Sequence, residues 1–385
     1  MMSLAFLALA GLVIVASFAK PGLFENVPRT VPDFGAYYAA AVTNRHGDDP
    51  YNLDNQAAGQ RRINPDTEPL RANSGPWAIG LVCPFAMFDY PPARLVWLFL
   101  ELALMIACGA VLWKMYGGAD EYAPLTWLVA ICGYAGMQSL WLGQLSPFVL
   151  GGLVGFVVWH QRWPMLAGAC LALLAIKPQN QLVLILIGTI WMIDRKQGRV
   201  FLGIIFGTIV LTALAMAGNP STFSQYMRAM SSDPPSAVWP PLPASLLRFA
   251  FGFERYWLAF VPLLIGSVWG VAYYARHRQN WEWTERFPLI LMVSYLASPY
   301  GWAYDQIVFL FAFFQIAAIL TAKSKAWWFV LIGMQAALMV YYLVMLKSGF
   351  NEFHWIWVAP VQLMLYLVAK RFHSPQRDEN QSFLK

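Results

Sequence analysis

The chain has 385 residues, of which 59% are hydrophobic and only 12% charged, and its mean hydropathy is +0.50. Soluble domains are about a quarter charged, so this composition excludes a soluble globular protein and indicates an all-α polytopic membrane protein. The formal net charge of +6 does not require a nucleic-acid partner, because the basic residues fall where membrane topology wants them.

Apolar runs near 2–19, 93–113, 123–140, 146–160, 164–177, 180–193, 200–217, 257–275, 286–298, 304–322, 326–346 and 354–370 read as about twelve transmembrane helices. The first run has no Lys or Arg in its opening residues, so an uncleaved span is expected in place of a secretory signal. With twelve spans, fourteen Lys and Arg residues fall on the inner side and five in the short outer loops, which sets both termini in the cytoplasm. Residues 1–373 then form one transmembrane domain, and 374–385 a disordered cytoplasmic tail.

Two long loops face outward in this topology. Loop 20–94 holds eight acids and seven bases, a balance that suits a folded polar region with short amphipathic helices. Within it, Asp33-Phe34-Gly35-Ala36-Tyr37-Tyr38 follows Pro32, and a helix there puts Asp33 and Tyr37 on one face. That pattern fits either a helix cap with aromatic-belt anchors or an outward-facing catalytic carboxylate. Loop 218–256 is rich in proline, through Asp233-Pro234-Pro235 and Trp239-Pro240-Pro241-Leu242-Pro243, and suits either the wall of a groove or a plain connector.

Polar residues at membrane level are costly, and three groups of them gather at the outer ends of spans. They are Gln138 with Gly143-Gln144-Leu145-Ser146-Pro147, then Lys177-Pro178-Gln179-Asn180-Gln181, then Ser298-Pro299-Tyr300 through Tyr304-Asp305-Gln306. Each proline stops a helix and frees backbone groups that a ligand can use. Carboxylates, one cation, amides and aromatics together suit a sugar next to an anion, with Lys177 for a phosphate. Taken singly, Lys177 also reads as a snorkelling side chain, Gln144 as a bond between helices and Asp305 as a helix cap. The four cysteines have no metal-ligand spacing, and no metal site, cofactor motif, catalytic triad or phosphate-binding glycine loop is expected.

Taken in order, Asp33-Phe34-x-x-Tyr37-Tyr38, Asp49-Pro50-Tyr51, Pro84-Phe85, Tyr90-Pro91-Pro92, Gly143-Gln144-x-Ser146-Pro147, Lys177-Pro178-Gln179 and Ser298-Pro299-Tyr300-x-x-x-Tyr304-Asp305 form a recognisable set. The chain resembles glycosyltransferase family 87, the polyprenyl-phosphate-mannose-dependent alpha-mannosyltransferase-like branch of the C-type glycosyltransferase fold. The resemblance implies a hexosyltransferase of the plasma (inner) membrane whose site faces the extracytoplasmic side. It implies a polyprenyl-phosphate sugar as donor, a glycolipid or envelope glycan as acceptor, and Asp33 as general base; an inverting single displacement is the mechanism expected from these residues, and the absent metal-ligand spacing agrees with a transfer that needs no metal. Tyr37, Tyr38, Gln144, Lys177, Gln179, Tyr300, Tyr304 and Asp305 are the residues expected around the donor and substrate. The competing expectation is a transporter or flippase of lipid-linked sugars; transporters usually carry inverted repeats and midplane charges on broken helices, whereas no such repeat is found here and the three polar groups lie at the outer ends of spans.

Overall fold

A computed structural model describes residues 31–71, 74–232, 240–348 and 352–373, and all regular structure within them is helical. The expected first span at 2–19, the tail 374–385 and the Asp233-Pro234-Pro235 stretch lie outside the described residues.

The first loop does carry short helices. Pro32 leads into α1 (Asp33–Arg45), with Asp33 in the first turn where the positive helix end favours a carboxylate. Asn52 caps α2 (Leu53–Ile63), its side chain accepting from the N–H groups of Asp54 and Asn55. Gly75 precedes α3 (Pro76–Val82), which has proline in its first turn. Helix α1 buries a face of small residues, Gly35, Ala36, Ala39, Ala40 and Ala41, with Phe34 at its start.

The first described span is α4 (Tyr90–Met115). Next come α5 (Ala123–Cys132) and α6 (Tyr134–Leu142), bent 54° from each other where Gly133 takes an extended conformation. Helix α7 (Ser146–Trp159) is apolar but only 14 residues long, about 21 Å, which is short of a hydrocarbon core of about 30 Å. Helix α8 (Pro164–Leu171) runs on as a tighter turn to Ile176, the chain breaks at Lys177, and α9 (Leu182–Asp194) leaves at 120° to the incoming segment. Proline after Lys177 explains the break, because its ring blocks a continuing ladder and disfavours a helical conformation at the preceding residue. Lys177 accordingly has φ −139° and ψ 62°.

The second half holds α10 (Gly198–Gly218), α11 (Thr222–Ser232), α12 (Pro243–Phe251), α13 (Val261–His277), α14 (Trp283–Leu296), α15 (Leu310–Lys323), α16 (Trp327–Lys347) and α17 (Val358–His373). Loop 218–256 is thus partly helical, through α11 and α12. Asn44 ties α1 to this half, donating to the Ala215 carbonyl at 2.7 Å and accepting from the Thr222 hydroxyl at 2.5 Å.

Among the described residues, six helical segments are long and apolar enough to span a membrane, or eight if each bent pair counts as one span. This count is of the described residues alone, which leave out the expected run at 2–19, and several of the other expected runs are bent or short. The runs 164–177 and 180–193 share one bent unit, 123–140 is broken at Gly133, and the helices at 146–160 and 286–298 are only 14 residues each. Small residues let backbones approach where the bent unit crosses α10. A Cβ added at Gly168 would come within 2.0 Å of the Val200 carbonyl, and one at Gly203 within 2.0 Å of that of Met165.

Candidate active site

The site is built on three interruptions of helix, each brought against the start of α1. The first is the end of α6, where Gly143 adopts the left-handed conformation (φ 69°, ψ 52°) and the N–H groups of Gly143 and Gln144 both donate to the Ser139 carbonyl. Only glycine fits, since a Cβ there would stand 2.6 Å from the Phe34 Cβ and 3.2 Å from the Arg94 guanidinium. Arg94 of α4 holds this corner by donating to the carbonyls of Leu140 at 2.5 Å and Trp141 at 3.2 Å, a favourable place for a cation at a helix C-terminus. Beneath it, the Phe34 ring packs 4.9 Å from Trp97 and 6.1 Å from Tyr90, which fixes the first turn of α1.

The second interruption supplies Lys177 and the third Asp305, in the tight turn Ala303–Phe309 that leads into α15. The Lys177 ammonium donates to Gln144 Oε1 at 2.8 Å, Ser146 Oγ at 3.0 Å and Asp305 Oδ1 at 2.8 Å, and it lies 4.4 Å above the Tyr304 ring. An ammonium has three donors, and all three are engaged. Ser146 Oγ also donates to Asp305 Oδ1 at 2.6 Å, while Asp305 Oδ2 accepts from the Trp302 N–H at 2.9 Å. Asp305 is therefore both the cap of its own turn and the counter-ion of Lys177.

Gln144 joins this cluster to the first loop. Its Oε1 accepts from Lys177 while its Nε2 donates to Asp33 Oδ2, so a chain Asp305–Lys177–Gln144–Asp33 runs across the site. Gln144 is fully buried, Lys177 is 8% exposed and Asp305 3%. Burial pushes the Asp33 carboxyl from 3.8 up to about 6; Lys177 opposes that rise, Asp305 adds to it and the Gln144 bond opposes it. A carboxyl placed there is suited to take up a proton near neutral pH.

Two tyrosines complete this face. The Tyr37 phenol is raised well above 10 by burial and then by Asp33, Tyr300 and Asp305, which places it among them. The Tyr300 hydroxyl accepts from Trp302 Nε1 at 2.9 Å. It is pushed up to about 12 by burial, with Asp305, Asp33 and Glu352 adding to the effect. The fold thus gathers Asp33, Tyr37, Gln144, Lys177, Tyr300, Tyr304 and Asp305 in one place. Tyr38 points elsewhere: its hydroxyl donates to the Phe88 carbonyl at 2.8 Å and its ring packs 5.3 Å from Tyr90. Gln179 stays half-buried on the Lys177 turn, and it is Asn180 that joins that turn to the next loop, accepting from Ser298 Oγ at 3.3 Å.

Three further contributors carry little signal in the sequence. Ser146 is marked only by the Gly143-to-Pro147 motif around it, and Arg94 shows no signal beyond its position near the start of a span. Glu352 lies in a short turn (Glu352–Trp355) far along the chain, with nothing around it in sequence to mark it. In the fold, Glu352 Oε1 accepts from Gln138 Nε2 at 3.0 Å, and Oε2 lies 3.5 Å from the Ala303 N–H. No group of three His, Cys, Asp or Glu side chains among the described residues converges closely enough to hold a metal ion.

Residues 75–299, more than half of the chain, match glycosyltransferase family 87. No curated protein and no solved structure matches at a significant level. The family match takes in Gln144, Ser146 and Lys177, and the fold brings Asp33, Tyr300, Asp305 and Glu352 to them from beyond its limits. An all-helical membrane chain whose matched segment supplies half of one buried polar site therefore belongs to glycosyltransferase family 87.

Proposed function

We propose that this glycosyltransferase moves a sugar, most simply mannose, from a polyprenyl-phosphate donor to a glycolipid or envelope glycan. The transfer takes place at the extracytoplasmic face of the plasma membrane and inverts the anomeric centre. The reading is supported above all by Asp33, a half-buried carboxylate wired through Gln144 to a buried cation and pushed up to about 6.

In this mechanism an acceptor hydroxyl attacks the anomeric carbon while its proton passes to Asp33. The new bond to the acceptor oxygen forms as the bond from the anomeric carbon to the phosphate oxygen breaks, and the phosphate leaves with that electron pair. Phosphate is a good leaving group, so one positioned base and one compensating charge suffice. Lys177 supplies the charge. Its three donors are all engaged without substrate, so phosphate binding exchanges one of them, and the neutral Ser146 hydroxyl is the partner least costly to release. Tyr37 and Tyr304 add hydroxyls to the same cradle.

Purified protein in lipid nanodiscs, offered labelled mannose either on polyprenyl phosphate or on a nucleotide, tests the donor class. Transfer from the lipid phosphate alone is expected, with the opposite anomer in the product. Transfer from the nucleotide sugar, or retention of the anomer, contradicts the proposal.

A further inference from the structure

The polar groups on the two sides of the site are not equally satisfied. On one side Lys177, Gln144, Ser146 and Asp305 saturate one another. On the other, Glu352 has no Lys, Arg or His within ion-pair distance among the described residues. It receives one good hydrogen bond, from Gln138, and one long one, from the Ala303 N–H. An ionised carboxylate has about four acceptor positions, so at least two remain open. Gln138 is only 2% exposed, and its Oε1 has no hydrogen-bond partner. Its Nε2 is spent on the Tyr342 hydroxyl at 2.6 Å and on Glu352. A buried acceptor without a donor, as Gln138 Oε1 is, is costly, and with the half-buried Glu352 carboxylate beside it the site is complemented by a ligand that brings hydrogen-bond donors.

Consecutive N–H groups tie this corner to the rest of the site. Trp302 donates to Asp305 and Ala303 lies against Glu352, so the two carboxylates flank one strand of backbone. The Tyr300 phenol, which hydrogen-bonds Trp302 Nε1, feels Asp33, Asp305 and Glu352 together. The groups facing Glu352 are Gln138 of α6, Tyr342 of α16, Tyr295 of α14, Tyr300, Asp305 and Asp33. None of them is a cation.

We infer that Glu352 and Gln138 form the acceptor subsite, and that it takes a neutral polyol through its hydroxyl donors and rejects an anionic sugar. The inference rests on the transferase reading above and adds the class of its acceptor. Phosphate has acceptors only, like the groups already present here, so it belongs on the Lys177 side. The two substrates are thereby sorted by charge across one site.

The probes are methyl mannoside and methyl glucuronide, titrated onto the full-length protein in nanodiscs by saturation-transfer NMR. Wild type at about pH 8 is expected to bind the mannoside at least about tenfold more tightly than the glucuronide, a difference of about 1.4 kcal/mol. Glu352→Gln removes most of that preference and keeps mannoside binding. Should that variant fail to fold, two other measurements decide. In Asp33→Asn protein the preference still falls between about pH 8 and pH 5, where Glu352 is the unpaired carboxylate left to take up a proton. Gln138→Leu weakens mannoside binding by about tenfold. Equal binding of both probes, binding of neither, or an unchanged preference in Glu352→Gln overturns the inference. Because binding needs no donor, failure of transfer from polyprenyl phosphate would sink the reaction and leave this preference readable.

Discussion

Asp33 carries a charge that its surroundings resist. Its value in the fold, about 6, lies above the 3.8 of an unhindered carboxyl, so it favours the folded state fully below about pH 4 and loses that contribution as pH rises through 6. The gap is worth about 3 kcal/mol, which the fold gives up at neutral pH to keep a carboxylate ionised in a half-buried place. Two outcomes are expected. The acid limb of kcat/KM should fall with a midpoint near pH 6, since the free enzyme must present Asp33 ionised. Asp33→Asn should melt at a higher temperature than wild type at about pH 7.5, with the difference vanishing by about pH 4. A variant that is less stable at both pH values would show that the carboxylate supports the fold and is not strained by it. This trade of stability against activity is the usual mark of a functional charge.

The Lys177 turn shows how an element makes a site. Residues 164–194 are apolar enough to cross the membrane once or twice, yet Lys177-Pro178 folds them back by 120° and leaves an ammonium at the bend. The break was legible in the proline, as were those after Ser146 and Ser298, because proline removes a donor and its effect is local. What the bend would touch was not legible, since Asp305 lies 128 positions from Lys177 and Asp33 lies 111 from Gln144. Removing one partner of the buried pair leaves a charge uncompensated. Lys177→Met should therefore destabilise by about 3–5 kcal/mol in a denaturation series. Adding Asp305→Leu should restore most of that stability without restoring transfer. If the double variant recovered transfer as well, the pair would be structural and the phosphate-binding role would fall.

Across the whole molecule, composition alone identified an all-helical membrane chain, and the order of its motifs identified the family. The number of crossings was less legible. Hydropathy treats α7, α14 and the two arms of the Lys177 bend as spans, whereas their lengths and the bend leave six to eight candidates among the described residues. The site was legible to the extent that its residues sit beside helix-breaking prolines or at a helix start, as Asp33, Gln144, Lys177, Tyr300 and Asp305 do. Tyr38 turns to Phe88 and Tyr90 because adjacent helical residues point about 100° apart, so Tyr37 is the one of the two that shares the Asp33 face. Glu352 was invisible because a lone acid in a short turn has no periodicity or motif; only α16 and α17 folding beside α6 bring it to the site. In the proposed transfer Asp33 is the base, held in place by Gln144. Transfer of labelled sugar from polyprenyl-phosphate mannose by purified wild type and by Asp33→Asn, both shown to be folded and to bind donor, tests it most directly. Product from wild type and none from the variant is the predicted result; comparable product from both would contradict it.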